Sequence, residues 1–179
     1  MIKLNSRQLR DTVPTPEEIA QVVRRPIYFI LEDVLDTYNI GAIFRVADAI
    51  GVQKIYLCGK TSTPPDHKIK KSSVGTWQWV SWKYSPSTID AISELKNENS
   101  KVKVIAIEQD ARSIPYTEFN YELPLAFVLG HETDGVQKET LDKCDAIVEI
   151  PLHGVNNSLN VMVACAIVSY EVVRQSSFW

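Results

Sequence analysis

The chain has 179 residues, 45% hydrophobic and 23% charged, a balance that suits one soluble globular domain and excludes disordered, collagen-like and coiled-coil chains. Its longest purely apolar stretch, Val161 to Val168, falls far short of a bilayer span, and Met1 to Arg10 lacks the apolar centre of a secretory signal. A cytoplasmic protein with no membrane partner is therefore expected. The net charge of -3 denies the molecule a global basic field, so any nucleic-acid binding must rest on local patches.

Residues 1–25 read as an N-terminal extension with a short helix, and 26–179 as the main domain. Thr15 can cap that helix, Pro16 suits its first position, Glu18 completes a capping box, and the run continues to about Val23. Pro26 breaks it, and Ile27 to Leu31 has the uninterrupted apolarity of a buried first strand. A helix beginning near Asn39 puts Ile43, Val46, Ala47 and Ile50 on one stripe and ends at Gly51. Gly41 and Arg45 share its other side, where a ligand could approach the guanidinium or the arginine could simply be solvated.

Further strands are predicted at Lys54 to Leu57, Trp79 to Trp82, Val102 to Ile107, Leu125 to Leu129 and Ala146 to Ile150. Ser87 can cap a helix running through Ile89, Ile92 and Leu95, and Gln137 to Lys143 forms a short one. The last helix, Leu159 to about Arg174, begins apolar on nearly all sides and must be buried against other elements or a partner subunit. This alternation specifies an α/β fold, a mostly parallel sheet flanked by helices. Basic clusters occur at His67 to Lys71, at Arg24-Arg25 and at Arg7 with Arg10, each of which a solvated surface also explains. Trp77, Trp79 and Trp82 alternate as if on one strand face, where core or dimer packing is favoured over base stacking. Cys58, Cys144 and Cys165 sit among apolar neighbours and read as reduced, mostly packed thiols.

Ligands of open α/β sheets bind beyond the carboxyl ends of the strands. Three loops there are unusual: Asp36 to Gly41, Gly130 to Gly135, and Pro151 to Ser158. The third runs into a helix N-terminus, whose free N–H groups can hold an anion or be capped by Asn157 or Ser158. An amide at Asn160, at the head of an apolar helix, demands partners. The chain has no GxGxxG, no phosphate loop, no GxSxG elbow and no metal-ligand spacing among His67, His131 and His153, so no metal is expected.

Together the segments Asn39-Ile-Gly-Ala-Ile-Phe-Arg45, Val128-Leu-Gly-His-Glu132-Thr-Asp-Gly135 and Ile150-Pro-Leu-His-Gly154-Val-Asn-Asn-Ser158-Leu-Asn160 resemble the three ordered motifs of the SpoU/TrmH-type family of SPOUT RNA 2'-O-ribose methyltransferases. The resemblance spans most of the chain after Pro26. His131 stands where relatives commonly carry asparagine or serine. The resemblance implies a C-terminal deep trefoil knot, a homodimer, S-adenosylmethionine as cofactor and methyl transfer to a ribose 2'-hydroxyl of tRNA or rRNA. Of these tRNA is preferred, with a D-loop guanosine the first candidate. The alternatives are an rRNA enzyme or a noncatalytic RNA-binding protein that keeps the fold.

The same resemblance implies the site residues. Arg45 stabilises the developing alkoxide and holds a phosphate, Asn39 orients Arg45 or the ribose, Glu132 organises its loop, and Ser158 with Asn160 hydrogen-bonds across the pocket. Cofactor contacts fall to Ala106, Ile107, Glu108, Gly130, Ile150, Leu152 and Leu159, mainly through backbone groups. RNA is expected on Lys68, Lys70 and Lys71, with Arg24 and Arg25 as further candidates.

Overall fold

The computed structural model describes Gln8 and residues 13–176, so Arg7 and Arg10 lie outside the described residues. Helix α1 (Pro16–Ala20) opens with the expected capping box, Thr15 Oγ1 accepting from the Glu18 amide while Glu18 Oε2 accepts from the Thr15 amide. It stops at Ala20, short of Val23, because the chain must straighten before the Arg25 amide donates to the Gly51 carbonyl at 2.7 Å.

Seven strands follow: β1 (Arg25–Glu32), β2 (Val52–Cys58), β3 (Trp82–Ser85), β4 (Lys103–Ile107), β5 (Ile114–Pro115), β6 (Leu125–Leu129) and β7 (Ala146–Glu149). They form one sheet in the order β3-β2-β1-β6-β4-β7-β5, with every pairing parallel. Helices cover both faces, as a parallel sheet requires. On one face α2 (Thr37–Ile50) and α6 (Val161–Gln175) pack on Phe29, Leu31, Ile105, Ile107, Phe127 and Leu129. On the other, α4 (Thr88–Glu98) and the short α5 (Lys138–Leu141) cover Ile30, Tyr56, Val104, Ala106, Val128 and Ile147.

The apolar stripe of α2 is broader than its spacing predicts, since Ile40 and Phe44 are buried beside Ile43, Ala47 and Ile50. Gly51 ends the helix in the left-handed region at φ 74°. Helix α3 (His67–Ser73) crosses α2 where Gly41 lacks a side chain. A Cβ on Gly41 would stand 1.9 Å from Ser72 Oγ and 2.8 Å from the Ser73 amide nitrogen. That glycine makes room for a helix, not for a ligand beside Arg45.

The predicted strand from Trp79 to Trp82 does not form. Gly75 takes φ 89°, Thr76 Oγ1 donates to the Ser73 carbonyl, and the chain turns through a 3-10 segment, Thr76–Gln78, before β3 begins at Trp82. The three tryptophans therefore do not share a strand face, yet each packs against the core. Trp79 Nε1 also donates to Asp48 Oδ1 at 2.7 Å. Cys58 and Cys165 are buried and Cys144 partly so, all three free, and burial pushes each thiol up to about 12.

Candidate active site

Strands β6, β4 and β7 are neighbours, and the loops leaving their carboxyl ends enclose a cavity of about 460 Å³. That volume lies within the range of small-molecule pockets, about 300–1,000 Å³. Six of the seven residues expected to meet a cofactor line it: Ile107, Glu108, Gly130, Ile150, Leu152 and Leu159. Ala106 does not. Strand alternation turns its side chain to the opposite face of the sheet, against Val104 and Val128 in the core under α4 and α5. Gln109, Thr133, Asp134, Glu149 and Asn157 also line the cavity. Gln109 was invisible in the sequence because its role is tertiary: its Nε2 donates to the Asn157 carbonyl at 2.7 Å and ties the loop after β4 to the loop before α6.

The loop after β6 is a tight hairpin closed by reciprocal backbone hydrogen bonds between His131 and Gly135. Gly130 and Gly135 are both required there. A Cβ at Gly130 would fall 2.2 Å from the Gly135 carbonyl carbon, and one at Gly135, already at φ 68°, would strike Glu108 Oε2 at the same distance. Glu108 braces this loop, accepting from the Val136 amide at 2.8 Å with one oxygen and from the Gln109 amide with the other.

Three side chains join at the cavity's edge, one from the first turn of α2, one from the loop after β6 and one from the head of α6. Glu132 Oε1 accepts from Asn39 Nδ2 at 3.0 Å, and Asn39 Oδ1 accepts from Asn160 Nδ2 at 2.9 Å. Glu132 also accepts from the amides of Leu35 and Asp36, the residues leading into α2. Burial alone would raise the Glu132 carboxyl, but the Asn39 amide and those backbone N–H groups outweigh it and hold the group below its ordinary value of 4.5. Asn160 Oδ1 meanwhile caps α6, accepting from the amides of Met162 and Val163. Asn160, not Asn157 or Ser158, is thus the helix cap. The partners its amide requires are Asn39 and its own helix.

Ser158 lines the cavity and, among the described residues, its side chain bonds only within its loop, to Asn156 Oδ1 at 3.2 Å. Arg45 is exposed on α2, one turn beyond the α3 crossing, and has no hydrogen-bond or ion-pair partner among the described residues. The hydrogen-bonded chain from Asn39 to Glu132 and Asn160 therefore does not include Arg45, and Asn39 does not orient it directly.

The basic candidates divide. His67, Lys68, Lys70 and Lys71 are exposed on α3, and the three lysines form no ion pair among the described residues. Arg24 and Arg25 are instead half-buried structural residues. Arg24 donates to the Trp79 carbonyl at 3.1 Å beside Asp48, and Arg25 donates to the Ile50 carbonyl at 3.0 Å. Both act as staples between the start of β1 and the end of α2, which the charge pattern could not distinguish from surface cations. Among the described residues no helix is long and apolar enough to cross a membrane. No group of three or more His, Cys, Asp or Glu among them could hold a metal ion.

The model of the SpoU rRNA methylase family matches residues 26–170, from the first strand to the middle of the last helix. The chain belongs to this family. Among its relatives is a tRNA (guanosine(18)-2'-O)-methyltransferase of Thermus thermophilus, 34% identical over 160 residues that cover 88% of this chain and 80% of that protein. An Escherichia coli protein of the same name is 30% identical, covering 81% of this chain and 62% of its own. Among solved structures, the A. aeolicus TrmH/SpoU tRNA modifying enzyme superposes with a TM-score of 0.78 at 26% identity, over 96% of this chain and 82% of that one. The SpoU methyltransferase AviRb of Streptomyces viridochromogenes, solved with the cofactor AdoMet, gives 0.77 at 26% identity, over 87% and 62% of the two chains. Family membership extends over all three loops that build the cavity and its hydrogen-bonded edge.

Proposed function

We propose that the protein transfers a methyl group from S-adenosylmethionine to a ribose 2'-hydroxyl of tRNA, with a D-loop guanosine the first substrate to test. The observation that carries this reading is the Glu132–Asn39–Asn160 chain, which locks the three family motifs together at the edge of a cavity of cofactor size. The names of the two guanosine-18 relatives support the choice of RNA. The cavity's donor set suits such a cofactor, with apolar walls from Ile107, Ile150, Leu152 and Leu159 for an adenine and backbone groups of the Gly130 loop for its polar edge.

When bound, the cofactor supplies an electrophilic methyl group on a cationic sulfonium. The chain must bring the acceptor oxygen into line and stabilise it as its proton leaves. Arg45, exposed and without a partner among the described residues, is free to do this from the RNA side. A guanidinium with a pKa above about 12 is a poor base, so Arg45 steadies the oxyanion and grips a neighbouring phosphate while water takes the proton. Lys68, Lys70 and Lys71 hold the RNA backbone beside it. The active form is a cytoplasmic homodimer with a knotted C-terminal segment. Val163 and Tyr170, left 36% and 45% exposed on α6, support a partner subunit there.

Incubating the protein with radiolabelled S-adenosylmethionine and separated tRNA and rRNA, then mapping the label, tests the proposal. Label in tRNA as a 2'-O-methylguanosine is expected. Label confined to rRNA would transfer the activity to the other substrate, and RNA binding without any transfer would leave a noncatalytic binding protein.

A further inference from the structure

The loop after β6 is the wall between two cavities. His131, Asp134 and Gly135 line both the 460 Å³ site and a smaller one of about 230 Å³. Besides the His131–Gly135 backbone pair and Glu108, an imidazole fastens the tip of this wall. His131 Nδ1 accepts from the backbone amides of Thr133 and Asp134, each at 3.1 Å. An asparagine or serine oxygen at this position would satisfy the same two donors by an ordinary side-chain turn. An imidazole nitrogen accepts only with its lone pair free, so the arrangement in which both amides donate to Nδ1 leaves any ring proton on Nε2.

We propose that His131 is a positioning residue of the cavity wall and a proton-sensitive clasp on it, a proposal that rests on the cofactor reading of the larger cavity. Neutral, Nδ1 gathers the Thr133 and Asp134 amides and keeps the hairpin closed. Once a proton from solvent binds Nδ1, the same nitrogen becomes a donor and opposes both amides. Asp134 Oδ2 already lies 3.3 Å from Nδ1, so the new cation meets an ion-pair partner at once. The hairpin then exchanges two amide-to-imidazole hydrogen bonds for one ion pair, and the Thr133–Asp134 turn changes its geometry on the cavity side.

The other charged groups around the ring allow this exchange. On its own loop stand Glu132 and Asp134. Glu32 and Asp33 from the end of β1, and Lys60 from the segment after β2, face it across the smaller cavity, and Glu108 and Glu149 line the larger one. Glu32 is held by the Gln137 amide and the Thr140 hydroxyl, Asp33 by the Lys60 amide and Gln137 Nε2, and Glu108 by Val136 and Gln109. Asp134 is therefore the carboxylate within reach of Nδ1, and it is not held elsewhere.

Two measurements on the full chain test the clasp, using wild type, His131→Asn and His131→Ala above and below the range in which an imidazole titrates. The first is amide exchange by NMR at Thr133 and Asp134, expressed as protection factors so that intrinsic exchange cancels. Wild-type protection should fall about tenfold on acidification, as two hydrogen bonds of ordinary net strength disappear. His131→Asn should stay protected at both pH values, and His131→Ala should be unprotected at both. The second is calorimetric titration with S-adenosylhomocysteine, whose affinity should weaken about tenfold in wild type on acidification and stay level in His131→Asn. Protection at Thr133 and Asp134 that is indifferent to pH in wild type, or intact in His131→Ala, would overturn the clasp. Changing protection with constant affinity would overturn its link to the cavity. Failure of every variant to bind the probe at either pH, with the exchange pattern as expected, would remove the cofactor reading while the clasp stands.

Discussion

Asn39 Oδ1 accepts from Asn160 Nδ2 at 2.9 Å, across 121 positions of sequence, and this fixes which way the Asn39 amide faces. Its carbonyl oxygen is committed to Asn160, so its nitrogen must face Glu132, and it does at 3.0 Å. Asn39→Asp keeps the shape but sets a carboxylate oxygen against Glu132 Oε1. The variant should lose about 1–3 kcal/mol of stability, the cost of a buried acceptor set against a second one with no donor between them, and methyl transfer should fall with it. Urea unfolding alongside turnover measures both. An Asn39→Asp protein as stable and active as wild type would remove the hydrogen-bonded chain from the account.

The carboxylate at the end of that chain makes a pH prediction. Glu132 is held below its ordinary value of 4.5 in the folded protein, so folding favours its charged form. Its contribution is present above the unfolded value and lost as pH falls through the folded one. The stability difference between wild type and Glu132→Gln should therefore be fully present well above pH 4.5 and shrink as pH falls below it. Denaturation midpoints of both proteins on either side of that value test it. A constant difference would mean that the charge of Glu132 does not matter to the fold.

Arg45→Ala should abolish methyl transfer and leave affinity for S-adenosylhomocysteine within about twofold, because the side chain is not part of the cavity wall and acts on the RNA side. Arg45→Lys should fail nearly as badly, since a point charge cannot reproduce a planar fork on an oxyanion and a phosphate. Single-turnover rates beside calorimetry separate the two effects. Full activity in Arg45→Ala would end the assignment.

Gly41→Ala probes a crossing that the sequence misrepresented. Seen alone, a glycine one turn before an arginine invites a ligand, yet the space is taken by α3. The alanine Cβ would meet Ser72 Oγ, the Ser73 backbone nitrogen and the Ile69 carbonyl, so α3 must move away from α2. A destabilisation of about 1–3 kcal/mol is expected, typical of overpacking. The RNA affinity carried by the α3 lysines should fall as well. Unchanged unfolding and RNA binding would show that the two helices tolerate separation.

The central strands were legible because they are buried on both faces, so that Ile27 to Leu31 and Leu125 to Leu129 read as apolar runs with nothing else to be. The helix caps at Thr15, Ser87 and Gly51 were legible because capping is local chemistry. The segment from Trp77 to Trp82 was not. Alternation of large aromatics carries the period of a strand, and it was overridden by a positive φ at Gly75 and by core packing made one tryptophan at a time. At the site, the motif residues were legible as types, but their partners were not. That Asn160 reaches Asn39 and that Glu132 receives Asn39 follow from the meeting of distant segments, which no spacing encodes.

The last prediction concerns how an acidic chain holds RNA. Arg24 and Arg25 are bound to backbone carbonyls, so the exposed lysines of α3 are the cations best placed to meet phosphates. Replacing Lys68, Lys70 and Lys71 together with alanine should weaken RNA binding and flatten its salt dependence, with the log-log slope reduced by roughly one unit for each phosphate that the protein no longer neutralises. Ile69 and Ser73, the buried face of α3, are untouched, so the helix should stay in place and S-adenosylhomocysteine should bind as before. Fluorescence anisotropy with labelled tRNA at several salt concentrations gives both affinity and slope. A reduced affinity with an unchanged slope would mean that the lysines act by shaping the surface and not by displacing counterions. An unchanged affinity and slope would put the RNA on another face of the molecule, and Arg45 would then have to reach its ribose from there.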